Sequence, residues 1–157
     1  MGAISLFGKK AWKGCRIALP EGEDERVLRA AEMARDKGLA SPLLVGERRK
    51  IEAAAKKFGV GIGGIPIVDA SGGVPGEYLR AYGKIRKAAP RVAERILSNP
   101  LFLAALMVRM GEADGMVAGA AYTSADVITA SEGIIGLRKG ISVPSSFFIM
   151  EVPGYRW

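Results

Sequence analysis

Residues 114–127, DGMVAGAAYTSADV, hold the residue types best suited to chemistry: the small run Gly119-Ala120-Ala121, then Tyr122, the hydroxyl pair Thr123-Ser124, and Asp126. Small residues let a ligand come close to the backbone. Hydroxyls beside a helix N-terminus, where amides lack partners, can seat an oxyanion or a phosphate. The same letters fit a capping box, S/T-x-x-D/E, over Thr123-Ser124-Ala125-Asp126, in which each polar atom serves only the helix start. The charge of Asp126 opposes an anion unless an arginine lies nearby. The residue types leave both readings open.

Histidine is absent and Cys15 is the one cysteine. A Ser-His-Asp triad, an H-E-x-x-H zinc site and any imidazole base are therefore excluded, and a soft-metal cluster is not expected. Cys15, beside an apolar run, reads as a small buried residue rather than a reactive thiol. Chemistry in this chain must use carboxylates, Lys, Arg, Tyr, hydroxyls or backbone amides.

Two further motifs weigh on the site. GVGIGG, residues 59–64, matches G-x-G-x-x-G by letter, but it follows a helical pattern and precedes an apolar run, so it reads as a helix stop and a loop. No G-x-x-x-x-G-K-[ST] is present. PEGEDER, residues 20–26, places Glu21, Glu23, Asp24 and Glu25 at the start of a helix, where they complement its dipole and would repel a phosphate. Arg86-Lys87 ends a helical segment; a dibasic pair there is a solvated face unless the fold carries it to the hydroxyl turn.

The elements that must position these residues follow from apolar spacing. CRIAL (15–19), Pro42–Val45 and Ile65–Val68 read as buried strands. Between them run two helices, one with Val27, Ala30, Ala31 and Ala34 inward and Gly38 as its stop, the other over Glu47–Phe58 with Ile51, Ala54, Ala55 and Phe58 inward. DASGGVPGE (69–77) is a turn-rich connection. Helices are expected over Tyr78–Ala88, Arg91–Leu97 and Leu101–Met110, broken by Pro90 and Asn99-Pro100. A strand over 115–118, a helix from about Ala125 and a fifth strand over Ser145–Val152 complete the pattern. Alternating strands and helices predict an α/β fold, with a mostly parallel sheet covered on both faces.

The 157 residues have the size of one domain, and 49% hydrophobic with 25% charged residues is a globular composition. The longest apolar runs, such as Leu101–Val108, are too short to span a bilayer. MGAISLFGKKAWKG lacks the order of a secretory leader and fits a myristoylation pattern only loosely. The expected location is cytoplasmic. The net charge of +7 comes from cations scattered among acids and apolar residues without interleaved aromatics. A solvated basic face or a field drawing in a small polyanion is expected, not a nucleic-acid surface.

Four ordered blocks carry a resemblance: LPEGEDERVLRAA (19–31), YGKIRK (82–87), NPLFLAALMVRMGEADGMVAGAAYTSADV (99–127) and SSFFIM (145–150). Over nearly the whole chain they resemble the amino-terminal half of the phosphate acetyltransferases and phosphate butyryltransferases. The resemblance implies a three-layer α/β/α architecture like half of the isocitrate and isopropylmalate dehydrogenase fold, with 1–157 as a single amino-terminal domain. It implies acyl transfer between coenzyme A and inorganic phosphate, with a coenzyme A thioester as substrate and no metal or nucleotide cofactor. It also implies that Gly119, Tyr122, Thr123 and Ser124 contact phosphate or acyl phosphate in a cleft, and that Arg86, beside Lys87, binds the anionic substrate as the catalytic arginine. Acyl transfer to phosphate needs a held anion and a stabilised oxyanion, which an arginine fork with hydroxyl and amide donors supplies.

Two departures from the family pattern stand out. A second family arginine, in the helix after the turn, falls on Thr129, with Arg138 and Lys139 further along. Family members are about twice this length and handle the coenzyme A thiol with a serine, an arginine and an aspartate near their carboxyl end, a region without counterpart here. Three expectations follow: a fragment or one chain of a split acyltransferase, partnered by its other half or as a homo-oligomer; a non-catalytic acyl-CoA or phosphate-binding module, like the transacetylase-like domain of some malic enzymes; or a self-associating remnant.

Overall fold

The computed structural model describes residues 14–69 and 71–146. Its first part alternates β1 (Arg16–Leu19), α1 (Glu25–Asp36), β2 (Ser41–Gly46), α2 (Arg48–Phe58) and β3 (Ile67–Asp69). Three helices follow in succession: α3 (Gly76–Arg86), α4 (Pro90–Leu97) and α5 (Pro100–Met110). Then come β4 (Gly115–Met116), α6 (Ser124–Ala130) and a π-helical turn, Ser131–Ile135. The strands form one parallel sheet in the order β3-β2-β1-β4.

Successive side chains of a strand point to opposite faces, and both faces of this sheet are covered. Leu19, Leu44 and Ile67 belong to one apolar cluster with Leu28 and Ala31 of α1 and Ile51 and Ala55 of α2. Ala18, Val45 and Val68 belong to a second with α3, α4 and α5. Burial on both faces is why the strands read as apolar runs and not as alternating patterns. The result is the three-layer α/β/α arrangement expected from the sequence.

Helix α5 is the centre of the second layer. Leu101, Leu103, Ala104, Ala105, Leu106 and Met107 are all buried, so it is apolar around most of its circumference. It packs on β1, β2 and β4 below and on α3, α4, α6 and the π-helical turn around it. Asn99 starts it by accepting a hydrogen bond from the Leu101 amide at 2.9 Å, with Pro100 at the first position, where no amide is needed. Gly111 stops it in a left-handed conformation, φ 78°, and turns the chain into β4.

Several boundaries moved. On α1, Leu28 and Ala31 are the buried pair and Ala30 is exposed, because the stripe facing the sheet is centred nearer Leu28 than the alanine spacing implies. β3 begins at Ile67; Ile65 is buried in the approach, and the Pro66 carbonyl accepts from the Leu44 amide at 3.0 Å. β4 is only two residues long, although the Val117 amide still donates to Ala18 O at 3.1 Å. α3 ends at Arg86, with Lys87 left-handed at φ 50°. Of the fifth strand, Ser145 and Ser146 have no regular structure and the rest lies outside the described residues. Among the described residues no helix is long and apolar enough to cross a membrane.

Truncating Leu106, fully buried in α5, is expected to cost about 2–5 kcal/mol through lost burial and a cavity under the sheet. Urea unfolding of Leu106→Ala against the parent chain measures this; a loss below about 1 kcal/mol would mean that α5 is not the packed centre of its layer.

Candidate functional site at the carboxyl ends of β1 and β4

After β1 the chain steps outward through β2 and β3, then returns to place β4 on the other side of β1. The carboxyl ends of β1 and β4 are thus the point where strand order reverses, the place where open α/β sheets form a ligand crevice. Pro20–Asp24 leaves one of these strands and residues 117–123 leave the other. Pro20–Asp24, Val45, Gly46 and Pro100, with Ala121 and Tyr122 of the second loop, line a cleft of about 290 Å³; Gly119, Thr123 and Ser124 lie outside that lining.

One carboxylate organises this crevice. Glu21, 7% exposed, accepts from four consecutive backbone amides. Gly119 N and Ala120 N donate to Oε2 at 2.9 and 3.0 Å, and Ala121 N and Tyr122 N donate to Oε1 at 2.5 and 2.7 Å. Desolvation by burial pushes its pKa upward, but the four amides together outweigh that and hold it below the ordinary glutamate value. Small residues make the geometry possible: Gly119 adopts φ 114°, and a Cβ on Gly22 would lie 2.9 Å from Ile51 Cδ1.

The opposite side of the same loop is held by Arg26. Its guanidinium donates to Ala120 O at 2.5 Å and to Asp24 at 2.7 and 3.0 Å. The Arg26 side chain is also the main reason that the Asp24 pKa is held down to about 2; Asp24 in turn caps α1 by accepting from the Arg26 amide at 2.8 Å. Tyr122, half-buried, donates from its hydroxyl to Asn99 Oδ1 at 3.1 Å, which fixes the turn to the residue that caps α5. Burial, then the charge of Glu21, raises the Tyr122 pKa, so the phenol stays protonated and remains a donor.

The capping box exists as spelled in the sequence. Thr123 Oγ1 accepts from the Asp126 amide at 3.2 Å, and Asp126 Oδ2 accepts from the Thr123 amide at 3.1 Å and from the Thr123 hydroxyl at 2.6 Å. The bonds from Thr123 lower the Asp126 pKa and keep it charged. The Thr123 hydroxyl is therefore committed to the helix start. Ser124 is the first residue of α6, exposed, and its hydroxyl makes no hydrogen bond among the described residues. The amides of Ser124 and Ala125 are the orphan donors of that first turn.

Of the residues singled out from the sequence, Gly119, Tyr122, Thr123 and Ser124 lie together on one turn at the switch point. The Gly119 and Tyr122 amides are taken by Glu21, and the Tyr122 hydroxyl by Asn99. Arg86 and Lys87 are exposed at the end of α3, and no hydrogen bond or ion pair joins them to the turn among the described residues. Thr129, Arg138 and Lys139 are exposed as well. The sequence suggests for Glu21 a complement to the α1 dipole that would repel a phosphate, and nothing more. Its actual partners are 98 to 101 positions away. The signal that points to it is four successive amides among small residues, which must find an acceptor somewhere.

A carboxylate whose folded pKa is depressed stabilises fully above its unfolded value and loses that contribution as pH falls through the folded one. Glu21→Gln should therefore be less stable than the parent chain at neutral pH, by about 1.5–3 kcal/mol for lost charged hydrogen bonds. The gap should close as pH drops below 4.5, the ordinary glutamate value. Thermal melts of both chains across that range check it; a pH-independent gap would contradict the charged four-amide contact. Thr123→Ala should cost about 1 kcal/mol in the same melts through loss of the cap.

The family described as phosphate acetyl/butaryl transferase matches residues 5–157. A phosphate acetyltransferase of Staphylococcus aureus strain Mu50 is 32% identical over 148 residues, covering 92% of this chain and 45% of its own length. One from Clostridium acetobutylicum is 34% identical over 142 residues, covering 88% and 43%. Among solved structures, a phosphotransacetylase from Staphylococcus aureus matches with a TM-score of 0.80 at 31% identity, over 88% of this chain and 43% of that one. A Streptococcus pyogenes phosphotransacetylase gives 0.79 at 31%, over 91% and 46%. The chain thus spans less than half the length of these relatives. With a family match over nearly its whole length and the same fold in solved relatives, this chain belongs to the phosphate acetyl/butaryl transferase family and corresponds to its amino-terminal half.

Proposed function

We propose that the chain supplies the phosphate side of a phosphate acyltransferase site, moving an acyl group between coenzyme A and inorganic phosphate. The observation that supports this reading is that the Gly119–Ser124 turn, part of the resemblance to the family, lies at the strand-order switch point, with Ser124 exposed and its hydroxyl without a hydrogen bond among the described residues. In the reaction a phosphate oxygen attacks the thioester carbonyl carbon. The carbon–sulfur bond breaks, acyl phosphate forms, and coenzyme A leaves as a thiolate that takes up a proton.

Ser124 and the α6 amides would hold the phosphate, and the Arg86 fork, assisted by Lys87, would neutralise charge on the substrate. Gly119 permits the approach, Tyr122 anchors the turn, and Thr123 orients the helix. Coenzyme A enters as a thioester substrate and no cofactor is required. The residues that handle its thiol belong to the part of the family's length beyond this match, so turnover needs that part, as continuous chain or as a partner. We read the protein as cytoplasmic and as a homo-oligomer or a member of such a pair.

A second reading, a non-catalytic module that binds phosphate or acyl-CoA, is favoured by Thr129, where the resemblance to the family implies an arginine. Phosphate-dependent release of free thiol from acetyl-CoA and butyryl-CoA separates the two. The assay is run with the chain alone and with the remaining half of a family member added. Turnover is expected in the second case, reduced about 100-fold or more by Arg86→Ala or Ser124→Ala. Saturable phosphate binding without turnover in either case would select the binding module, and turnover untouched by both substitutions would refute the assignment of these residues.

A further inference from the structure

Glu21 takes no part in the acyl transfer above, yet it is the one buried charged side chain among the described residues. Four successive amides converging on one point form a nest, an anion-binding concavity. This one opens at the switch-point crevice, where it could capture any small anion reaching the cleft. Glu21 fills it, two amides to each oxygen. Ala120 is held through both peptide groups that flank it, its N–H by Glu21 at 3.0 Å and its carbonyl by Arg26 at 2.5 Å. A loop held in this way has one orientation, and it leads without a break into Thr123 and Ser124.

We propose that Glu21 is a positioning residue for the anion-binding end of this turn. Its carboxylate is an internal anion that occupies the Gly119–Tyr122 nest, so that incoming phosphate meets the Ser124 hydroxyl and not the amides of the loop. The inference rests on the phosphate reading given above. It differs from a purely structural staple in one respect: Glu21 determines how tightly phosphate binds, beyond how stably the chain folds.

Inorganic phosphate is titrated by calorimetry into the parent chain, Glu21→Gln, Ser124→Ala and Ile65→Val, each at a temperature where circular dichroism shows it folded. Ile65 is buried at the amino-terminal approach to β3, opposite the site end of the sheet. Glu21→Gln is expected to bind phosphate about tenfold more weakly, the equivalent of one displaced charged hydrogen bond. Ile65→Val should keep the parent affinity despite its lower melting temperature. In parallel, acetate should raise the melting temperature of Glu21→Ala, by entering the vacated nest, and leave the parent unchanged. If Glu21→Ala does not fold without acetate, folding on its addition reads the same rescue. Phosphate binding that Ser124→Ala weakens and Glu21→Gln leaves intact overturns this inference and spares the phosphate reading. Equal weakening in Glu21→Gln and Ile65→Val, or no effect of acetate on Glu21→Ala, overturns it too. An absence of saturable binding in the parent chain overturns the phosphate reading itself.

Discussion

Past the end of β4 the backbone runs through Gly119, Ala120, Ala121 and Tyr122 outside any ladder, and each amide there needs an acceptor as it leaves water. Glu21 meets that need from the end of β1, and the surrounding geometry depends on it. The contact fixes Tyr122, whose hydroxyl reaches Asn99, which in turn caps α5. It also fixes the residue before Thr123, and so the direction in which α6 starts. A shift in this contact would move the starts of two helices as well as the turn between them.

The elements around this contact are packed and paired on every side. β1 is central in the sheet, paired with both β2 and β4, so Glu21 projects from a strand held on both sides. α5, apolar on nearly every face, presses the sheet from one side while α1 and α2 cover the other. The surface ion pairs, such as Arg29 with Glu25 and Lys50 with Glu47, are solvent-exposed and add little. Burial supplies the stability, and the buried charge supplies the register between two loops.

Charge is divided in a way the overall count hides. The net charge is +7, whereas the cleft is lined by Glu21, Glu23 and Asp24 on its β1 side. Glu21 and Asp24 are both held ionised, one by backbone amides and the other chiefly by Arg26. The acidic loop turns these two carboxylates, and no cation of its own other than Arg26, toward the cleft and its rim. Donors for an anion are left on the α6 side, at Ser124 and the amides behind it.

The layered α/β fold was legible in the sequence because parallel strands buried on both faces leave short apolar runs, and helices between them leave a 3.6-residue spacing. The capping box at Thr123 and Asp126 was legible too, since its partners lie three positions apart and need no fold to meet. Strand ends were less so: β4 is cut short and β3 begins late because pairing partners, not composition, set a strand's limits. On α1 the spacing picks out Val27 and Ala31 correctly but adds Ala30, which is exposed, and omits Leu28, since alanines look apolar wherever they fall and only the sheet decides which of them is covered. For Glu21 the sequence holds only half of the signal: a run of small residues says that amides need an acceptor, but the acceptor lies about a hundred residues away, and a glutamate after Pro20 looks the same whether it complements a dipole or fills a nest. Interactions within one helical turn are written in the order of residues; those that join the ends of two strands exist only once β4 has returned to lie beside β1.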